Sequence, residues 1–169
     1  VALNGLRALK DIQSPSKETI NELINLYNNG EMVLLVDQAQ ALVDQYPDTL
    51  IIWNILGVAN KSLKRIGEAN KAFKRVTELN PNYADGFNNL AITLHQQGRL
   101  EEAIDAYNEL LSLRPEHAET YYNMGIILQE QRKLDDAIET YRKAISYKSD
   151  FAEAYINMGN VLKEQGNLD

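Results

Sequence analysis

The amino-acid sequence predicts an all-α fold made of tandem helical hairpins, and three observations support this prediction. Asn89, Asn123 and Asn157 follow one another at intervals of 34 residues, and each precedes a hydrophobic and then a small residue. Apolar residues within each interval recur at spacings of three and four, as on one face of an α-helix. Gly98 and Pro115 interrupt this pattern, so each interval is expected to hold two helices.

The same interval recurs at alanines, aromatic residues, leucines and prolines: Ala69, Ala103 and Ala137; Phe73, Tyr107 and Tyr141; Leu100, Leu134 and Leu168; Pro47, Pro81 and Pro115. From the apolar spacing we expect helices over nine ranges: 17–29, 32–45, 50–63, 67–79, 84–97, 100–113, 118–131, 134–147 and 152–165. Ser14 and Pro15 are suited to the cap and the first position of the earliest helix.

Small residues recur on the predicted helices, where they allow two backbones to approach closely. They are Gly57, Ala91, Gly125 and Gly159 on first helices, and Ala69, Ala103 and Ala137 on second helices. Large aromatic side chains are expected to fill the space beside them. We therefore assign seven aromatic residues to the core: Phe73, Tyr107, Tyr141, Trp53, Phe87, Tyr121 and Tyr155.

Composition excludes several classes of protein. The chain has 169 residues, of which 44% are hydrophobic and 24% are charged, values typical of a globular domain. It contains no cysteine, which excludes disulfide scaffolds and thiolate metal sites. The longest nearly apolar stretch, residues 50–59, is too short to span a bilayer. No signal peptide is visible, and we expect a cytoplasmic protein without a membrane span.

Charge is distributed unevenly along the chain, whose net charge is −7. Residues 1–82 hold 9 basic and 9 acidic side chains, whereas residues 83–169 hold 8 and 15. Such a surface repels phosphate backbones, so we expect no nucleic acid partner. One basic cluster surrounds Glu68 and either attracts phosphate or acidic groups or forms a solvated helix face. Its members are Lys61, Lys64, Arg65, Lys71, Lys74 and Arg75.

The recurring positions resemble those of the tetratricopeptide repeat family. The interval that begins at residue 50 matches the family pattern at Trp53, Leu56, Gly57, Ala69, Phe73 and Pro81. The next two intervals match it at Phe87, Leu90, Ala91, Ala103, Tyr107 and Pro115, and at Tyr121, Met124, Gly125, Ala137, Tyr141 and Ala144. The resemblance implies a right-handed α-solenoid of helix-turn-helix hairpins.

The resemblance also divides the chain into segments. We expect a lead segment at 1–15, a divergent capping repeat at 16–49, and complete repeats at 50–83, 84–117 and 118–151. Residues 152–169 would form the first helix of a truncated repeat.

In this family the first helix of each repeat lines a concave groove, which implies a set of groove residues here. They are Asn54, Asn89, Asn123 and Asn157, the acidic Asp85, Glu119 and Glu153, and the apolar Val58, Ile92 and Ile126. Asparagine both donates and accepts hydrogen bonds, so such a row can pair with an extended peptide backbone. Alternatively, the asparagines bond to the neighbouring repeat or to water. Their pattern is similar to the superhelix of the O-linked N-acetylglucosamine transferases, which implies that they hold protein substrates.

The sequence offers little support for an enzyme. The only histidines, His95 and His117, show no recurring metal-ligand spacing, and no glycine-rich phosphate loop is present. The groove positions also lack the lysine of chaperone-binding repeats, which disfavours a carboxylate clamp. We therefore predict no catalytic residues, no metal and no cofactor.

The sequence accordingly predicts a protein-interaction scaffold that binds an extended peptide in its groove. One alternative is a self-assembly module, in which Tyr155, Met158 and Leu162 of the helix at 152–165 contact another copy. The other alternative is a substrate-recruiting arm of a glycosyl- or sulfotransferase whose catalytic domain is absent.

Overall fold

The computed structural model describes residues 14–166, and the regular elements in this range are all α-helices. The helices are α1 (Lys17–Asn28), α2 (Met32–Gln45), α3 (Leu50–Ser62), α4 (Ile66–Leu79), α5 (Ala84–Gln96), α6 (Leu100–Leu113), α7 (Ala118–Glu130), α8 (Leu134–Tyr147) and α9 (Ala152–Glu164). Each bound lies within one residue of its predicted position. The predicted all-α class is therefore confirmed.

The chain divides into two compact units, Val1–Pro81 and Asn82–Asp169. In the first unit, α1 packs on α2 and α3 packs on α4, with further contacts between α2 and α3. In the second unit, α5 packs on α6, α7 packs on α8, and α9 packs on α8. Within each unit, helices that follow one another along the chain are thus also neighbours in space, as expected of tandem hairpins.

The N-cap of the first helix lies two residues after the predicted one. Ser16, and not Ser14, is the N-cap of α1, and its hydroxyl oxygen accepts a hydrogen bond from the backbone amide of Thr19 at 3.1 Å. The prediction of Ser14 as the cap is wrong because Ser16 satisfies an otherwise unpaired amide of the first turn.

The turns between helices use one left-handed residue at a regular interval. Gly30, Gly98 and Gly166 have positive φ, and so do Lys64 and Arg132 at the equivalent positions. After four of these residues, the next amide donates to a carbonyl five residues earlier at 2.9–3.0 Å. The pairs are Glu31 to Leu26, Arg65 to Asn60, Arg99 to Leu94, and Lys133 to Leu128. This 6→1 bond is the one that closes a helix in the Schellman motif.

The hairpins α3–α4, α5–α6 and α7–α8 each contain a buried aromatic ring on their second helix. Phe73, Tyr107 and Tyr141 are at most 1% exposed, as predicted. A Cβ atom on Gly57 would stand 2.6 Å from Phe73 Cε1, and one on Gly125 would stand 2.5 Å from Tyr141 Cε1. These distances are too short for a real Cβ, so only glycine lets the ring lie this close to the first helix.

The other four aromatic residues assigned to the core are not fully buried. Trp53, Phe87 and Tyr121 are half-buried, and Tyr155 is 48% exposed, so their assignment to the core is corrected. Trp53 Nε1 donates to the Pro47 carbonyl at 2.8 Å, and the Tyr121 hydroxyl donates to the Pro115 carbonyl at 3.1 Å. Both rings are held at the edge of the core because their polar atoms bond to the preceding loop.

We expect Gly57→Ala and Gly125→Ala each to lower the free energy of unfolding by about 1–3 kcal/mol, because the new methyl group overpacks the core. Gly159→Ala is the matched control, since nothing lies within 4 Å of a Cβ there. In this variant alanine should stabilise the helix by about 0.5–1 kcal/mol. Urea denaturation measures all three changes. Equal stability of Gly125→Ala and Gly159→Ala would contradict the close contact with Tyr141.

Candidate functional site

The asparagine row consists of Asn89 on α5, Asn123 on α7 and Asn157 on α9, and all three side chains are half-buried. Asn123 is hydrogen-bonded to the hydroxyl of Tyr107. Asn157 is hydrogen-bonded to the hydroxyl of Tyr141, and its Nδ2 donates to Tyr122 Oη at 3.2 Å. Each of these two asparagines therefore bonds to the buried tyrosine of the preceding hairpin. Such bonds fix the orientation of a carboxamide and leave part of its bonding capacity unused.

The hydroxyls that hold these carboxamides keep their protons well beyond neutral pH. Burial raises the pKa of Tyr107 to about 12, and the hydrogen bond from Asn123 opposes this shift. Burial likewise raises the pKa of Tyr141 to about 12, against the hydrogen bond from Asn157. Tyr141 also donates to Gln129 Oε1 at 3.2 Å, so its hydroxyl links the helix pair α7–α8 to α9.

Two side-chain contacts join first helices of successive hairpins in the second unit. His95 Nε2 on α5 lies 2.9 Å from a carboxylate oxygen of Glu130 on α7. Tyr122 on α7 bonds to Asn157 on α9. The contacts place these polar residues where neighbouring first helices meet, on the surface that the sequence predicts for a ligand.

The apolar groove residues differ in their surroundings. Ile126 is half-buried and packs on the cluster of Ile138, Tyr141 and Val161. Ile92 in the second unit and Val58 in the first unit are half-buried outside the main clusters of the described residues. Asn54, also in the first unit, has a buried Oδ1 without a hydrogen-bond partner among the described residues.

The acidic groove residues are largely paired within the chain, which corrects the expected negative charge. Asp85 pairs with Arg114 at 2.8 Å, and Glu119 pairs with Lys148 at 3.3 Å. Both cations lie at the C-terminal end of the second helix of the same hairpin. Glu153 is exposed and has no ion pair in the described part of the chain. A count of charges along the sequence does not reveal such pairing, because the partners are 29 residues apart.

The three residues predicted for self-association are not equally accessible. Tyr155 is 48% exposed, whereas Met158 and Leu162 are half-buried against the cluster that contains Ile138 and Tyr141. Ile156, which was not among the predicted residues, is 62% exposed. The accessible apolar surface of α9 is therefore formed by Tyr155 and Ile156.

Sequence reasoning missed the partners of the asparagine row. Tyr122 was not singled out, although it bonds to Asn157 and packs against Phe151 with ring centroids 4.9 Å apart. A signal was present, because a tyrosine precedes each of two row asparagines at the same spacing, at Tyr107 and at Tyr141.

Two further findings concern metals and membranes. Within residues 14–166, no group of three or more histidine, aspartate and glutamate side chains is arranged to hold a metal ion. Over the same range, no helix combines the length and the apolar character that crossing a bilayer requires.

Comparison with family models gives two matches, both to tetratricopeptide repeat models. One covers residues 82–149 and the other covers residues 50–83, so together they span more than half of the chain. No curated protein matches the sequence. The predicted resemblance to the O-linked N-acetylglucosamine transferases stays a prediction.

Solved structures with low sequence identity share the fold. A crystal structure of MamA protein is 22% identical, with a TM-score of 0.83 over 90% of this chain and 85% of that one. MamA from Desulfovibrio magneticus RS-1 is 16% identical, with a TM-score of 0.82 over 89% and 85%. YrrB is 16% identical, with a TM-score of 0.79 over 97% and 84%. The predicted solenoid class of tandem hairpins is thereby confirmed.

We expect stability to fall as pH rises from about 10 to about 12. Tyr107 and Tyr141 have a higher pKa in the folded chain than the ordinary 10.0. Their stabilising effect is therefore complete below pH 10 and is lost as the unfolded chain ionises first. Tyr107→Phe and Tyr141→Phe should each reduce this loss, measured by urea denaturation across the pH range. Tyr155→Phe is the control at a half-exposed position. It shows how much of the loss of stability in this pH range comes from groups other than the two buried tyrosines. An equal loss in all variants would contradict the prediction.

Proposed function

Because the chain belongs to the tetratricopeptide repeat family, we propose that it is a protein-interaction scaffold that binds an extended peptide. The proposed surface is formed by α5, α7 and α9 of the second unit, where the asparagine row lies. Repeats of this family act as binding modules, so the proposed activity is recognition and not catalysis. YrrB, which has the same fold, is described as a repeat protein with an unusual peptide-binding site.

The observation on which this proposal depends is the orientation of two half-exposed carboxamides. Tyr107 holds Asn123, and Tyr122 and Tyr141 hold Asn157, so the side chains do not need to be ordered when a ligand binds. Preorganised polar groups lose less conformational entropy on binding, which favours affinity. Their remaining donor and acceptor capacity suits the C=O and N–H groups of a peptide backbone.

This surface favours a ligand that it recognises through hydrogen bonds to the peptide backbone more than through attraction to charged side chains. Asp85 and Glu119 already pair with cations of the chain, so they add little attraction for a basic peptide. Ile92 and Ile126 offer apolar contacts beside the asparagines. We therefore propose a polar or mixed-sequence peptide with apolar side chains at intervals.

An array of immobilised peptides of varied sequence, followed by calorimetric titration of the tightest binders, tests this function. Asn89→Ala, Asn123→Ala and Asn157→Ala should each weaken binding by about 0.5–1.5 kcal/mol, because each removes a hydrogen bond to the ligand. Asn108→Ala is the matched control, since Asn108 is exposed on α6, outside the surface. Its affinity should equal that of the unmodified chain.

Thermal denaturation of the same variants separates binding from folding. Affinity should fall in all three row variants at temperatures where each remains folded. A loss of thermal stability with unchanged affinity would assign the asparagines to structure alone and contradict the proposed site.

A second candidate function, self-association through α9, is favoured by an open position beside Gly159. The equivalent Gly57 and Gly125 are covered by aromatic rings, whereas nothing lies within 4 Å of a Cβ on Gly159. Tyr155 and Ile156 lie one turn before it and are exposed. A second copy that supplied an apolar side chain would bury this surface, and burial of one large apolar side chain contributes roughly 1.5–3 kcal/mol.

Sedimentation velocity across a range of concentrations tests this second candidate. The average mass should rise with concentration, and Tyr155→Ser with Ile156→Ser should suppress the rise. Ile51→Ser, at a 42% exposed position on α3, is the matched control and should associate normally. A chain that is monomeric at every concentration would rule out this function.

A further inference from the structure

A groove of about 540 Å³ lies in the first unit among α2, α3 and α4. We name it the basic groove; it lies between Val36 of α2, Trp53 of α3 and Lys74 of α4. Its volume falls within the range of roughly 300–1,000 Å³ that is usual for ligand sites. No residue of the proposed peptide surface lines it.

The buried residues that line the basic groove are apolar except for Asn60. Val36, Leu56 and Ala72 line it and are at most 8% exposed. Trp53 is half-buried, and its Nε1 donates to the Pro47 carbonyl at 2.8 Å, which holds the indole ring in place. An apolar side chain of a ligand would therefore find a fixed aromatic wall and an apolar base.

The rim of the basic groove carries more positive than negative charge. Lys71 pairs with Glu68 at 2.9 Å, and Arg75 pairs with Glu78 at 3.3 Å, which accounts for both acidic lining residues. Arg65 and Lys74 also line the groove, are exposed, and have no ion pair in the described part of the chain. Two cations are thus left unneutralised on a protein whose net charge is −7.

We propose that the basic groove binds an acidic peptide segment with an apolar anchor residue. Arg65 and Lys74 would attract its carboxylates, and the anchor would insert beside Trp53. Charge complementarity selects an acidic ligand, because Arg65 and Lys74 carry unpaired positive charge while both acidic residues of the lining are paired. A nucleic acid is disfavoured because the net charge of the chain is −7, which repels a long phosphate backbone. The site is additional to the proposed function, which uses another surface and another ligand chemistry.

Trp53 provides a direct signal for the test because it is the only tryptophan of the chain. The probe is the synthetic peptide Glu-Asp-Leu-Phe-Asp-Glu, which contains no tryptophan. It should change the emission of Trp53 on titration, and calorimetry of the same titration should give the same affinity. Raising the salt concentration should weaken binding, because the attraction to exposed cations is screened over roughly 10 Å at 0.1 M.

Charge reversal on the rim tests which residues bind. Arg65→Glu and Lys74→Glu should each weaken binding about fivefold or more at low salt, with circular dichroism unchanged. Lys163→Glu, an equal charge change at an exposed position on α9, is the matched control and should not alter the affinity. Asn123→Ala should also leave it unchanged, which separates this site from the proposed peptide surface.

Four outcomes would overturn the proposal. The first is the absence of heat and of any Trp53 response with the acidic peptide. The second is equal binding of the reversed-charge peptide Lys-Lys-Leu-Phe-Lys-Lys. The third is an equal effect of Lys163→Glu and Lys74→Glu. The fourth is preference for single-stranded oligouridylate or anionic vesicles over the peptide, which would assign the groove to a different class of ligand.

Discussion

The contact on which the hairpins α3–α4 and α7–α8 depend is that between a buried aromatic ring and a glycine backbone. Phe73 on Gly57 and Tyr141 on Gly125 lie closer than any side chain on the first helix would permit. This approach sets the spacing of the two helices and leaves the ring fully buried. The hydroxyl at the end of the Tyr141 ring is also hydrogen-bonded to Asn157 of α9.

That position of the hydroxyl connects the core to the proposed binding surface. Tyr107 and Tyr141 reach Asn123 and Asn157 of the following hairpins, so side chains that fill the core also orient side chains that face a ligand. The two asparagines therefore have a structural and a proposed binding role together. Phe73, in the first unit, has no hydroxyl and cannot orient a carboxamide in this way.

Because of ion pairing, the local charge of each unit's proposed binding surface differs from what the count of its basic and acidic residues suggests. In the second unit, Arg114 and Lys148 neutralise two acidic groove residues, although this half of the chain is the more acidic one. In the first unit, whose basic and acidic residues balance, Arg65 and Lys74 stay unpaired at the rim of the basic groove. The local arrangement of ion pairs, and not net charge, thus decides which ligand each surface favours.

The sequence alone determined the helices and the repeat, because both depend on local spacing: the interval between Asn89 and Asn123 and the apolar period are visible without any structure. It also indicated that Tyr107 and Tyr141 are buried. Only the tertiary structure decided which polar atoms meet, since Arg114 reaches Asp85, and Tyr122 reaches Asn157, across long stretches of chain.

The degree of burial of Trp53 and Tyr155 and the presence of the basic groove also followed only from the structure. A hydrophobic pattern specifies which face of a helix turns inward. It does not specify how far a neighbouring helix covers that face, because coverage depends on the packing of several elements at once.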